Sequence, residues 1–107
     1  MNWRSITEAE LLELIEAEVA VLTPARSSVW NRVRITPEKW QLSPEGDLGG
    51  EFWVVGLHDG RAIWFNDIEE GFDWSPFSER GALLEYGANQ FELTHVMQQL
   101  IEAGADE

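Results

Sequence analysis

Two apolar runs separated by a tight-turn sequence constrain the fold of this chain more than any other feature. Phe52-Trp53-Val54-Val55 and Ala62-Ile63-Trp64-Phe65 flank the turn sequence His58-Asp59-Gly60. An Asp-Gly pair between two such runs is typical of a tight hairpin turn, because that turn needs positive φ angles. The sequence therefore predicts an antiparallel hairpin at the centre of a sheet.

The N-terminal part of the chain has helical periodicity. Thr7 and Glu10 have the spacing of a capping box, and apolar residues follow at helical spacing until Pro24 interrupts them. These features predict a helix over residues 8–22. Glutamates occupy the opposite face, which is the pattern of a helix with one buried side and one solvated side.

A second helix is predicted at the C-terminal end. Asn89 is followed three residues later by Glu92, which predicts an N-cap, and Gly104 is placed to end the helix. The predicted buried face consists of Phe91, Val96, Met97, Leu100 and Ile101.

The segments between these elements carry weaker patterns. Alternating valines and isoleucine predict a strand over residues 29–35, and Trp40 with Leu42 indicates a further short strand. Residues 43–50 are rich in glycine and proline, which predicts a loop. Residues 66–80 have no sustained period, so we expect a long connection there, followed by a last strand over residues 82–86.

Together these elements predict an α+β fold in a single domain spanning residues 1–107. We expect an N-terminal helix, a four- to five-stranded, mostly antiparallel sheet and a C-terminal helix. Both helices are expected on one face of the sheet. The other face would then be free to meet solvent, a partner or a second copy, so a dimer is possible.

Charge excludes several classes of partner. Twenty acidic and seven basic residues give a formal net charge of −13, which disfavours direct binding to nucleic acid or to anionic membranes. A small basic island, Arg26, Arg32, Arg34 and Lys39, is the exception. No apolar run is long enough for a membrane helix, and cysteine is absent. We expect a cytoplasmic protein with a basic protein as its partner.

The segment from Asn66 to Ser75 is the most distinctive in the chain. Four carboxylates stand beside two aromatic residues, which is an arrangement that a partner rich in arginine and lysine would recognise. The predicted binding residues are Asp67, Glu69, Glu70, Phe72, Asp73 and Trp74. A solvated turn whose aromatic residues pack on the sheet explains the same pattern. The order of ligands does not match a calcium-binding EF-hand loop, so we predict no metal there.

Catalytic signatures are weak. His58 and His95 lack the ligand spacing of a zinc site, and there is no nucleophile elbow or phosphate-binding glycine loop. We therefore predict no catalytic residue and no cofactor. The alternative is a small-ligand-binding protein, or a hydrolase that uses His58 or a carboxylate, with a pocket beside residues 66–80.

Six tryptophans are many for 107 residues. Trp53 and Trp64 lie in the predicted hairpin, where large rings fill a core. An exposed ring would mark a binding surface, since tryptophan is enriched at interface hot spots. Trp30 beside Arg32 is one candidate, and Trp74 in the acidic segment is the other.

One segment carries a resemblance. Trp64-Phe65-Asn66-Asp67-Ile68-Glu69-Glu70-Gly71-Phe72 resembles a stretch of small uncharacterised bacterial proteins, and Gly81 and Glu85-Tyr86 extend the likeness. In size, acidity and element order the chain is also similar to bacterial immunity proteins, which cover a basic active site of a toxin with an acidic face. The hypothesis from sequence is therefore a non-enzymatic, acidic protein-binding module of the immunity or inhibitor type.

Overall fold

The computed structural model describes residues 5–41 and 51–104. Within them the chain forms three helices and a four-stranded antiparallel sheet, which confirms the α+β class. The elements in chain order are α1 (Glu8–Val19), α2 (Pro24–Val33), β1 (Arg34–Trp40), β2 (Phe52–His58), β3 (Arg61–Asn66), β4 (Gly71–Pro76) and α3 (Leu93–Glu102). The loop predicted over residues 43–50, and Leu42, lie outside the described residues.

The predicted hairpin is confirmed as β2 and β3. Asp59 and Gly60 have φ angles of 49° and 76°, so the turn is of the primed type that suits the twist of paired strands. The register runs from His58 opposite Arg61 to Trp53 opposite Phe65 and shifts once at a bulge before Gly56. The sheet order is β1-β2-β3-β4, so each strand pairs with its neighbour in the sequence.

Helix α1 begins where the capping box predicts. The Thr7 hydroxyl accepts a hydrogen bond from the Glu10 backbone N–H at 3.1 Å, and the Glu10 carboxylate accepts one from the Thr7 N–H at 3.0 Å. The helix ends at Val19 rather than Leu22. Among its residues only Leu11 is fully buried, so α1 sits on the surface of the core.

The strand predicted over residues 29–35 is wrong, because most of that segment belongs to α2. The Thr23 hydroxyl caps this helix, and Pro24 occupies its first turn, where a proline costs no hydrogen bond. Val29 and Val33 are four residues apart and both buried, so the alternation of apolar residues also fits one face of a helix. The strand starts only at Arg34 and continues through Pro37 to Trp40.

The predicted long connection over residues 66–80 is also wrong. Residues 67–70 form a tight turn, and β4 then pairs along its length with β3, from Asn66 opposite Gly71 to Arg61 opposite Pro76. The strand predicted over residues 82–86 is absent from this part of the described chain. In its place Ala82 makes isolated bridges to Gln41 and Glu79.

Both faces of the sheet are covered, which corrects the expectation of a free face. Residues from all three helices share one buried cluster with Val55, Ile63 and Phe72. On the opposite face Trp64 is fully buried, and the segment after β4 supplies its cover. The covering side chains are Phe77, Leu83 and Tyr86.

Helix α3 begins later than predicted. Its N-cap is Glu92, whose backbone N–H donates to His95 Nδ1 at 3.1 Å, whereas Asn89 lies before the helix and bonds elsewhere. Val96, Met97 and Leu100 are buried as expected. In the described part of the chain, no helix is both long and apolar enough to cross a membrane.

Candidate functional site

The turn between β3 and β4 places the acidic residues of the distinctive segment. Asn66 is buried at the end of β3, and its side-chain oxygen accepts hydrogen bonds from the N–H groups of Ile68 at 3.0 Å and Glu69 at 3.2 Å. Glu70 has a φ of 59°, which reverses the chain into β4. Such Asx-turn geometry fixes the backbone of the turn that carries the acidic residues after Asn66.

Asp67 points from this turn towards the start of α1. Its Oδ2 accepts a hydrogen bond from the Ile6 backbone N–H at 2.7 Å, and the Ile6 carbonyl accepts one from Trp53 Nε1 at 3.0 Å. Burial raises the pKa of the Asp67 carboxyl above its ordinary value of 3.8, and the hydrogen bond from Ile6 opposes that shift only in part.

Glu18 occupies a corresponding position at the other end of α1. Its Oε1 accepts a hydrogen bond from the Leu93 N–H at the start of α3, at 2.5 Å. Burial raises the pKa of the Glu18 carboxyl, the nearby Glu92 charge acts in the same direction, and the Leu93 hydrogen bond opposes both. Two half-buried carboxylates therefore tie α1 to the rest of the fold.

Asp67 and Glu18 both line a pocket of about 430 Å³ between α1, the turn and the segment before α3. Apolar side chains form part of its lining, including Leu14, Phe65 and Phe91. Among the described residues that line it, none is a lysine or an arginine and five are acidic: Glu10, Glu18, Asp67, Glu70 and Glu92. We call this site the acidic pocket.

Three of the residues predicted to bind a partner are not on an open surface. Phe72 is fully buried in the core, and only 4% of Asp73 is exposed. Trp74 is partly buried, with its Nε1 donating to Gln99 Oε1 at 2.7 Å and Arg61 over its ring. Phe72 and Asp73 therefore lie inside the fold, and their part in binding a partner stays a prediction.

The buried Asp73 carboxylate has a role inside the fold. It accepts hydrogen bonds from the Asn89 backbone N–H at 3.2 Å and from Asn89 Nδ2 at 3.1 Å. Gly87 passes so close that a Cβ there would lie 2.2 Å from Asp73 Oδ2. Asp73 therefore fastens the segment before α3 to β4, which is why Asn89 does not cap the helix.

Asp67, Glu69 and Glu70 remain on one side of the molecule. Asp67 and Glu70 line the acidic pocket, and Glu69 lies between them, half-buried, with its carbonyl accepting from Gln90 Nε2 at 2.9 Å. The turn thus brings together half of the predicted set. That these residues bind a partner stays a prediction.

Sequence reasoning missed Glu10, Glu18 and Glu92 as members of this site. A signal for two of them was present, since Glu10, Leu14 and Glu18 are spaced by four residues and form one stripe along α1. Glu92 had no such signal, because its place depends on how the segment before α3 returns to the turn.

The alternative hypothesis expected a pocket beside residues 66–80, and Asp67, Glu70 and Gly71 line the acidic pocket. His58 lies at the end of β2 in the hairpin and outside the lining of the acidic pocket. Among residues 5–41 and 51–104, no group of three or more histidine or acidic side chains is arranged to hold a metal ion.

Comparison with known proteins gives no relative on which to base a function: no family model, no curated protein and no solved structure matches this chain.

Proposed function

We propose that this protein binds a basic protein partner and that the acidic pocket receives an arginine or lysine side chain of that partner. The observation that carries the proposal is the composition of the pocket, whose described lining combines five acidic residues with apolar side chains and includes no lysine or arginine. A long basic side chain suits such a site, because its methylenes pack on apolar surface while its charged head meets carboxylates.

The anchored carboxylates make the pocket a fixed feature of the fold. Asp67 and Glu18 each have one oxygen held by a backbone N–H, so their positions are set before a partner arrives. Preorganised acceptors lose little side-chain entropy on binding. Arginine is the better match, because its planar guanidinium donates to several carboxylate oxygens at once.

The net charge of −13 adds a long-range attraction for basic proteins to the contacts made inside the pocket. A field of this sign attracts basic proteins and raises the rate of encounter, more strongly at low ionic strength. Binding of this kind would mask a basic surface of the partner, which is the action of an immunity protein or inhibitor.

Charge reversal in the turn tests the proposal. Glu69→Lys/Glu70→Lys removes acidity at the pocket, and Glu79→Lys/Glu85→Lys makes the same change of net charge at exposed positions outside its lining. A short arginine-rich peptide is titrated into each protein and followed by NMR. We expect weaker binding in the first variant only, with shifts in the wild type centred on Leu14, Gly71 and Phe91. Equal losses in both variants would refute a specific site.

A small cationic ligand is the second candidate, since a pocket of about 430 Å³ falls in the size range of small-molecule sites. Titration with arginine amide separates the two functions. Saturable binding of arginine amide as tight as that of the peptide would favour the small ligand. Hydrolysis by the same carboxylates is less favoured, because Asp67 and Glu18 each have an oxygen engaged by backbone.

A further inference from the structure

A second cavity lies on the opposite flank of α1 from the acidic pocket. It is a groove of about 780 Å³ between α1 and β1, with the buried side chains of Trp30 and Val55 among its lining. The groove side of α1 presents Leu12, Ile15 and Val19, at spacings of three and four residues. We call it the apolar groove.

Several features distinguish the apolar groove from an ordinary gap at the surface. Leu12 is 47% exposed, which is high for a leucine beside a buried tryptophan. The lining residues of α1 run from Glu8 to Ala20, so the groove follows the whole helix, a length of roughly 18 Å at 1.5 Å per residue. That is the length of about three turns of a second helix.

Charges at the groove select the kind of segment that fits. Glu8 and Glu16 stand on the α1 side, and both are exposed. Arg34 stands on the β1 side. An apolar ridge seated between them would place lysines or arginines of the occupant beside the two glutamates. An acidic flank would meet repulsion there.

The edge of β1 disfavours an extended occupant. Pro37 has no N–H to offer a neighbouring strand, and the pairing of β1 with β2 is irregular between Arg34 and Glu38. Both features are known to protect sheet edges from strand addition. A helix needs no such pairing, since it docks through side chains alone.

We infer that the apolar groove is a docking site for an amphipathic helix of a protein partner, about three turns long, with an apolar ridge and with basic residues on the flank that faces Glu8 and Glu16. The inference rests on the proposed function only in taking a basic protein as the partner. Leu12 and Glu16 line the apolar groove and lie outside the lining of the acidic pocket. Variants at these two residues therefore test the groove, whereas variants at Glu69 and Glu70 test the acidic pocket.

The probe is a synthetic 14-residue peptide of leucine, lysine and glutamine, with its leucines on one helical face and its lysines along one flank of that face. A second peptide of the same composition has its leucines distributed around the helix. Binding is measured by NMR of the leucine, isoleucine and valine methyl groups. We expect shifts at Leu12, Ile15, Val19 and Val55 with the first peptide, and at least about tenfold weaker binding of the second.

Matched variants test the apolar and the charged contacts separately. Leu12→Gln should weaken binding of the first peptide about tenfold, while Val21→Gln, at a residue 73% exposed and outside the groove lining, should leave it within about twofold. Glu16→Lys should weaken binding about threefold more than Glu13→Lys, which makes the same charge change on an exposed position of α1. Methyl spectra of the free variants verify that each one folds.

Three results would overturn the inference. One is equal binding of the two peptides, and another is an equal effect within either pair of variants, since both indicate attraction by net charge alone. The third is self-association of the wild type that Leu12→Gln abolishes, with no methyl shifts from the peptide. That result would assign the apolar groove to a second copy of this chain.

Discussion

The Asp67 carboxylate holds the backbone of Ile6, with 2.7 Å between Asp67 Oδ2 and the Ile6 nitrogen. The two residues are 61 positions apart, so this one bond joins the entry to α1 to the turn between β3 and β4. The pair therefore builds one wall of the acidic pocket. Asp67, which is predicted to bind a partner, therefore also stabilises the fold.

Asp67→Ala should lower the free energy of unfolding by about 1–3 kcal/mol, because a part-buried N–H loses its acceptor. Asp67→Asn keeps an oxygen that can accept the bond and should cost less. Urea denaturation monitored by tryptophan fluorescence measures both changes. Glu13→Ala, on the exposed side of α1, is the control and should stay within about 0.5 kcal/mol of the wild type. A loss no larger for Asp67→Ala than for this control would show that the bond is unimportant.

The raised pKa of Glu18 predicts a dependence of stability on pH. In the unfolded chain this carboxyl titrates near its ordinary value of 4.5, and in the folded chain it titrates at a higher pH. The folded state therefore binds the proton more tightly, and the stability from protonated Glu18 is lost as pH rises from about 4.5 through the raised pKa.

Glu18→Gln isolates this contribution, because glutamine accepts the bond from Leu93 and does not ionise. Relative to wild type, the variant should gain stability as pH rises from 4.5 to 7, as measured by urea unfolding at intervals of half a pH unit. Glu13→Gln removes the same charge from the exposed side of α1 and corrects for net charge. Parallel pH profiles for Glu18→Gln and Glu13→Gln would contradict the assignment.

Two glycines should respond differently to a methyl group. At Gly71 a Cβ would lie 2.1 Å from the Gln90 Cα, so Gly71→Ala must displace the backbone and should cost at least about 3 kcal/mol. At Gly60 the φ of 76° is the obstacle and the space is open, so Gly60→Ala should cost about 1–2 kcal/mol. Thermal unfolding ranks the two variants. A smaller loss at Gly71 than at Gly60 would mean that β4 and residue 90 are less closely packed than described.

Loss of the hydrogen bonds from Asn89 to the buried Asp73 should lower stability without weakening binding. Asn89→Ala removes hydrogen bonds to a carboxylate that is only 4% exposed, and should cost about 1–3 kcal/mol. Folded protein carrying this change should still bind the arginine-rich peptide like wild type, because Asp73 does not reach the surface. Calorimetry at a temperature where the variant is fully folded measures the affinity. A loss of affinity with unchanged stability would return Asp73 to the binding surface.

The sequence predicts those elements whose signals are local. The hairpin turn at Asp59-Gly60 and the Thr7 capping box each depend on a few adjacent residues, and both are confirmed. The expectation of a free face is wrong, because Phe77, Leu83 and Tyr86, which cover the second face, belong to a segment with no local signal of covering the sheet. Runs of four apolar residues do fit strands buried on both faces, since a half-exposed strand alternates.

Elements whose patterns fit two structures were misassigned. Val29 and Val33 fit one face of a strand and one face of a helix equally well. Thr23 and Pro24 can mark either the end of one helix or the start of the next, and in the structure they begin α2. Phe72-Asp73-Trp74-Ser75 in β4 does alternate as a strand does, but the alternation spans only four residues between Gly71 and Pro76, which is too short to separate a strand from an acidic loop. The acidic pocket depends on contacts between distant segments, such as Glu18 with Leu93, and a single sequence gives no measure of these.

The acidic pocket, and not net charge alone, should recognise a basic partner. Association rates of the arginine-rich peptide with Glu69→Lys/Glu70→Lys and with Glu79→Lys/Glu85→Lys, measured by stopped flow over a range of salt concentrations, separate the two effects. The first variant should associate more slowly, dissociate faster and depend less on salt than the second, although their net charges are equal. Identical rates and identical salt dependence for the two variants would contradict it.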